Sequence, residues 1–412
     1  MRIKLYSLIV LLNSFSTGLT VPVLSLLLID KGASLSNISI LMGIYSLTVV
    51  VFELPTGILA DVAGRKKTFC ISLTISIIGF SIIFISHGVI VLCFGIILYG
   101  LSRALSSGSF DALFIDSYID EYGKDKLHNI TTRLSILDSL GLSSGALAGG
   151  FLPKISAVLF PSFGVFDLNL IFKLLLTFIV AVLSILFIKE NAKTEVRKHI
   201  SIKQQIKDSS SVVMKNSVIK CILVSAFSTG FFLLSVETYW QPHFVSLLPD
   251  DDLLWLLGVI TFLYFTTSIL GSILSEKLID KFNFNIKKMY IILRSVLASS
   301  VIVMSFQLNV TMFIVSYSLI YLFLGMANIP ESVILNSEIP GEVRASTLSV
   351  NSLIFQLGAL SGSFINSIII NYISIPSLWI IAAAMIFISI LIIIKKFVMN
   401  RSTELCNDEQ IK

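Results

Sequence analysis

The sequence predicts an all-α integral membrane protein with twelve transmembrane helices arranged as two six-helix halves. Composition, the spacing of apolar stretches and the placement of basic residues all point there. Of 412 residues, 55% are hydrophobic and only 13% are charged, and the mean hydropathy is +0.92. Soluble domains carry about a quarter charged residues, so a water-soluble chain is excluded, together with disordered, collagen-like and disulfide-scaffold classes. The 30 Lys and Arg and 25 Asp and Glu collect mostly between apolar stretches, as expected when those stretches lie in hydrocarbon.

A membrane-crossing helix needs roughly 20 mostly apolar residues. The candidates are 5–29, 36–60, 69–86, 89–115, 130–152, 165–188, 217–243, 253–275, 289–306, 310–330, 347–371 and 376–394, numbered here as spans 1 to 12. Span 1 follows Arg2 and Lys4 as a secretory leader would, but it is too long and lacks a small-residue cleavage site, so it reads as a helix. Bases then recur in alternate loops: Arg65, Lys66 and Lys67 after span 2, and Lys124 and Lys126 after span 4. Seven more lie between Lys189 and Lys215, with Lys277, Lys281, Lys287 and Lys288 after span 8, Arg344 after span 10 and Lys395, Lys396, Arg401 and Lys412 after span 12. The intervening loops hold only Lys31 and Lys154. This asymmetry predicts an even number of spans with both termini in the cytoplasm. Asp250, Asp251 and Asp252 lie in an expected outer loop without a base.

The long polar stretch 189–216 divides six spans from six. The expected organisation is an N-terminal half over 1–188, a cytoplasmic linker over 189–216, a C-terminal half over 217–394 and a tail over 395–412, polar and disordered from Arg401. The halves echo one another. Gly57 and Gly271 are 214 residues apart, and Gly141-x-x-x-Gly145 and Gly358-x-x-x-Gly362 are 217 apart. A duplicated six-helix unit leaves such an offset, and secondary transporters built this way place the substrate between repeats near the midplane.

Between spans 2 and 3 the chain reads Gly57-Ile-Leu-Ala-Asp61-Val-Ala-Gly64-Arg65-Lys66-Lys67. Gly57 would allow close helix approach and Gly64 a tight turn. Span 4 carries Arg103-Ala-Leu-Ser-Ser-Gly108-Ser-Phe-Asp111, with Asp116 further on. An arginine at mid-membrane costs about 3 kcal/mol on insertion scales unless it is paired or meets water. Asp111 lies about 80° around the helix and two turns deeper. Span 5 carries Gly141-x-x-x-Gly145-Ala146-x-x-Gly149-Gly150, one smooth face for packing or sliding. Further intramembrane acids are Glu53, Asp138 and Glu237, the last beside Tyr239 and Trp240. A carboxyl group in hydrocarbon must be protonated, paired or hydrated, so Glu53, Asp111 and Asp138 are candidate proton carriers. Tyr239 and Trp240 could face a cationic or aromatic ligand or anchor the membrane interface.

The loop after span 2 resembles the signature G-x-L-A-D-x-x-G-R-K of the major facilitator superfamily. That resemblance implies a conformational latch made by Gly57, Asp61, Gly64, Arg65 and Lys66, with Asp116 as the acid at the end of span 4. The span 5 glycines are similar to the G-x-x-x-G-P-x-x-G-G motif of its drug/proton antiporters, with Ala146 in place of the proline. Glu53-Leu-Pro55-Thr56-Gly57 and the span 4 run resemble a bacterial subgroup of the same superfamily.

The resemblance implies a non-enzymatic secondary transporter exporting a small amphipathic drug or antibiotic against protons by alternating access. A dedicated exporter of a self-made peptide antibiotic, conferring immunity, and a nutrient/proton symporter remain open. Walker and H-E-x-x-H motifs are absent. No cofactor, metal or nucleic-acid partner is expected. The expected partners are protons, the lipid bilayer and a small-molecule or small-peptide substrate, with the chain as a monomer.

Overall fold

The computed structural model describes residues 2–107, 109–110, 113–115, 127–188, 216–282, 285–339 and 344–410. Among them are twelve helices long and apolar enough to cross a membrane. They run Lys4–Asp30, Leu35–Glu53, Arg65–Phe84, Val89–Ser107, Arg133–Leu159 and Asp167–Phe187, then Ser217–Leu247, Leu256–Lys281, Ile286–Ser305, Val310–Glu338, Thr347–Ile369 and Ile375–Lys396. Each corresponds to one predicted span. Hydrocarbon cannot hydrogen-bond backbone groups, so helices that satisfy themselves are the available solution.

Three spans differ from expectation. Span 1 is interrupted: an α-helix over Arg2–Gly18 gives way to a 3-10 turn over Val21–Val23 before the helix Leu24–Asp30. Pro22 opens that turn, where its missing N–H matters least. In span 4 the helix Val89–Ser107 is followed by a turn residue, Ser109, whose hydroxyl donates to the Leu105 carbonyl at 2.6 Å, and Phe110 and residues 113–115 are helical again. The tail expected to be disordered instead continues span 12 as one helix over Ile375–Gln410. Its Met, Arg, Glu and Leu residues are good helix formers, which polarity alone did not reveal.

Helix ends follow local chemistry. Ser34 caps span 2 by accepting from the Asn37 N–H at 3.2 Å, and Asn309 caps span 10 by accepting from Thr311 and Met312. Gly64, at φ 98°, makes the corner between spans 2 and 3 that a residue with a side chain would resist.

Contacts gather the residues into two units. One comprises Met1–Lys198 with Thr238–Phe265, the other His199–Glu237 with Thr266–Lys412. Spans 7 and 8 therefore each change unit part-way. In the first unit, span 5 lies directly on span 1. A side chain at Gly141 would meet the Leu11 carbonyl at 2.7 Å, and at Gly145 and Gly149 it would meet the backbone of Phe15 and Leu19. The second unit repeats this with span 11 on span 7, where Gly358 faces the Phe227 carbonyl and Gly362 faces Phe231 at 3.2 Å. Phe15 and Phe231 stand 216 apart, Gly145 and Gly362 217 apart, so the glycines and their partners recur together.

Gly57 and Gly271 do not share a role. Gly271 is pressed against Leu322, whereas nothing lies within 4 Å of a side chain built at Gly57. Among the described residues no backbone comes within 4 Å of the space that the missing side chain of Gly57 leaves.

Around the glycine contacts sit apolar clusters. In the first unit Tyr6, Ile9, Phe69, Phe110, Phe114 and Val180 form one core, with Phe69 stacked on Phe110 at 4.3 Å. In the second unit Ile219, Ile222, Tyr290, Ile334 and Ile393 form another.

Gly145→Val should lower the yield of monodisperse protein and its melting temperature, at an overpacking cost of about 1–3 kcal/mol. Gly57→Ala should leave both unchanged. Thermal unfolding in detergent followed by tryptophan fluorescence distinguishes these outcomes.

Candidate functional site

Polar groups inside the spans are the candidates for function, because each must be matched by a partner or by water. Four of the expected residues are exposed side chains within or beside spans: Glu53, Arg103, Asp138 and Glu237. Asp138 on span 5 accepts a hydrogen bond from the Ser14 hydroxyl of span 1 at 2.5 Å. Glu237 on span 7 accepts from the Tyr321 hydroxyl of span 10 at 3.1 Å. Tyr321 continues to Tyr317 at 3.4 Å, with the two rings 5.1 Å apart. Arg103 lies one turn beyond Tyr99, whose ring packs 4.9 Å from Tyr45 of span 2. No contact among the described residues joins Glu53, Arg103 and Asp138 into one cluster.

Tyr239 and Trp240 are both buried. Their rings are thus packed inside in this conformation. Helix 217–247 turns these two positions inward, and Gln241 beside them spends its amide on the backbone of span 1.

At the latch loop, Gly64 shapes the corner and Arg65 begins span 3. Lys66 donates to the Ile185 carbonyl in the last turn of span 6 at 2.8 Å, where cations suit the unsatisfied carbonyls of a helix end. Lys66 thus ties span 3 to span 6 within its own unit. The Asp61 side chain, Asp111 and Asp116 lie outside the described residues. Gly141, Gly145 and Gly149 make the span 5 to span 1 contact, while Gly150 meets Gly258 of span 8.

Three charged residues that sequence reasoning passed over are held inside. Arg294 on span 9 is 1% exposed. Its guanidinium donates to the Thr229 and Ser228 hydroxyls, the Ser225 carbonyl and the Ser389 hydroxyl, four neutral oxygens from spans 7 and 12. Glu331 on span 10 accepts from the Tyr290 hydroxyl at 2.6 Å, and Tyr290 in turn meets the Ser225 hydroxyl. A hydrogen-bonded path therefore runs from Glu331 through Tyr290 and Ser225 to Arg294. Lys173 on span 6 is buried with its ammonium 5.0 Å from the centre of the Phe80 ring and 3.4 Å from the Thr17 hydroxyl.

Glu331 was missed because the apolar run ends at residue 330, while the helix continues to Glu338. Arg294 sits near the start of span 9, where a base reads as a flank. Lys173 offered a plain signal, one lysine inside an apolar span.

At the far end of the first unit, Lys31 and Asp167 form an ion pair at 2.7 Å with side chains 10% and 15% exposed. Among the described residues no three His, Cys, Asp or Glu gather to hold a metal.

Comparison with known proteins places this architecture. The chain is 24% identical over 388 residues to the uncharacterized MFS-type transporter YxaM of Bacillus subtilis (strain 168), covering 92% of each chain. It is 27% identical over 139 residues to the quinolone resistance protein NorA of Staphylococcus aureus, which covers 34% of this chain and 35% of that protein. Among solved structures, the nucleoside transporter NupG superposes with a TM-score of 0.81 at 13% identity over 96% of this chain and 99% of its own. A bacterial homolog of the human lysosomal transporter Spinster, inward-facing and unoccupied, superposes at 0.68 with 13% identity, over 95% of this chain and 94% of its own. At such identities these two structures show a shared fold. The Major Facilitator Superfamily model matches residues 6–253 and 254–410, and the chain accordingly belongs to the Major Facilitator Superfamily, as a multi-pass membrane transporter rather than an enzyme.

Proposed function

We propose that this transporter exports small amphipathic compounds from a bacterial cytoplasm in exchange for protons, by alternating access. The observation that carries the reading is that three carboxyl groups within the spans each accept from a hydroxyl: Asp138 from Ser14, Glu237 from Tyr321 and Glu331 from Tyr290. A hydroxyl donates to a carboxylate and can turn to accept from the protonated acid, so each pair can keep a hydrogen bond with or without the proton. At 100 mV one inward charge is worth about 2.3 kcal/mol, enough for roughly a fiftyfold gradient. Asp111, Glu53 and Arg103 remain further proton-coupling or substrate residues in this reading.

Export rather than import is favoured by the partial likeness to NorA and by the glycine face of span 5. That face brings the backbones of spans 1 and 5 close together, which suits helices that shift against each other. Asp61, Arg65 and Asp116 act as the latch in this account. The excess of Lys and Arg in alternate loops supports cytoplasmic termini, in a bacterial inner membrane on this reading.

Expression in a sensitive bacterium should raise resistance to several amphipathic cations and quinolones at least fourfold, and a protonophore should abolish the effect. Resistance to one peptide antibiotic alone would instead indicate a dedicated immunity exporter, and no resistance would favour import. Asp138→Asn and Glu237→Gln, assayed by efflux of a fluorescent cation from loaded cells, should each lose at least tenfold in rate while expression stays normal. Unchanged efflux in all of the Asp138→Asn, Glu237→Gln and Glu331→Gln variants would remove the carboxyl basis of coupling. A periplasm-active reporter should be active when fused after Asp250 and silent when fused at the C-terminus; the reverse pattern would invert the topology.

A further inference from the structure

The break in span 1 contains an arrangement that the transport reading does not use. In an unbroken α-helix the Ser25 N–H would donate to the Val21 carbonyl four residues back. Here Val23, at φ −123° and ψ 1°, takes the intervening turn out of α-helical geometry. The Ser25 N–H donates to Gln241 Oε1 at 2.9 Å, and the Val21 carbonyl accepts from Gln241 Nε2 at 2.8 Å. The two ends of one primary amide therefore occupy the groups that a continuous span 1 would pair with each other.

Such an insertion is close to balanced. Withdrawing Gln241 breaks two hydrogen bonds, while closing the helix restores one and frees the amide to bond elsewhere. A side chain that could leave needs a backbone that can move, and span 7 has one. Pro242, next to Gln241, has no N–H to give the Thr238 carbonyl four residues back, and its ring crowds that carbonyl. Thr238 is also where the contacts of span 7 change: residues up to Glu237 belong with one unit, and Thr238–Phe265 with the other. The weakened turn thus separates Glu237, tied to Tyr321, from Gln241, tied to span 1. Gln241 is 3% exposed and Ser25 4% exposed, so the wedge is sealed inside the first unit.

We propose that Gln241 is a positioning residue that wedges span 1 open at Val21–Ser25, and that it withdraws in each transport cycle, letting span 1 close its own helical bond. The proposal rests on the alternating-access reading, deepening it by naming a two-state element. Gln241 acts through the backbone of span 1 and touches no substrate.

The test uses the full chain in membranes, with its four cysteines replaced by serine and Ser25→Cys introduced. Labelling by a membrane-impermeant maleimide is followed in time. With Gln241 present labelling should be slow, and Gln241→Ala should accelerate it about tenfold. Gln241→Met, similar in length, has neither the amide acceptor for Ser25 nor the donor for Val21 and should accelerate it severalfold, which keeps the test open if the alanine variant does not fold. Ser389→Cys, buried in the second unit, should label at the same rate in every variant. An unchanged rate at position 25 in both variants overturns the proposal, as does an equal rise at position 389, which would mean general loosening. The readout needs no substrate, so its failure is separate from a failure of the export reading, which growth and efflux assays report.

Discussion

Everything in this protein depends on the inability of hydrocarbon to hydrogen-bond a peptide group. A helix answers that constraint alone, and among the described residues twelve helices answer it. Where a helix stops, another side chain must supply what is missing. The end of the first helical stretch shows this twice. Asn169 of span 6, fully buried, donates to the Leu19 and Gly149 carbonyls at 2.8 Å each, and Gln241 takes up the Val21 carbonyl and the Ser25 N–H. Two amide side chains thus keep a broken helix inside an apolar environment, and they fix where spans 5, 6 and 7 contact span 1.

Glycine answers a second demand of the same solvent. Without a strong hydrophobic drive between helices in lipid, association depends on close backbone approach. Span 5 meets span 1, and span 11 meets span 7, through glycines set against the backbone carbonyls of Phe15 and Phe227. The recurrence of both glycine and partner, at nearly the same offset, carries the duplication further than glycine spacing alone. Span 8 packs on span 10 in the same manner, with Gly271 against Leu322 and Gly325 against Ser268. At Gly57 no backbone among the described residues makes such an approach.

Charge inside the spans is handled without direct ion pairs at the groups most deeply held. Arg294 is surrounded by hydroxyl and carbonyl oxygens, and Lys173 by a ring face and a hydroxyl. Neutral oxygens solvate a cation without cancelling its charge, which leaves its field available to the rest of the unit. At the edge of the first unit the opposite choice is made, and Lys31 is neutralised by Asp167. Such an ion pair adds more to geometric definition than to net stability, since both partners lose water to form it.

Twelve spans, their order and the loops carrying the bases were legible from the sequence. Each rests on a one-dimensional quantity, the length of an apolar run or the position of a charge between runs. Asp138 and Glu237 were legible too, because an acid inside an apolar run is conspicuous. Glu331 was not, since Pro330 and the end of the apolar run read as a helix end, whereas the helix runs on to Glu338 and the Glu331 carboxyl meets the Tyr290 hydroxyl. The burial of Tyr239 and Trp240, the open space at Gly57 and the pairing of Gln241 with a turn more than 200 residues away belong to tertiary structure. Hydropathy and spacing determine which segments leave water; the rotation of each helix about its axis, which decides what a side chain touches, is set by the neighbours that pack against it.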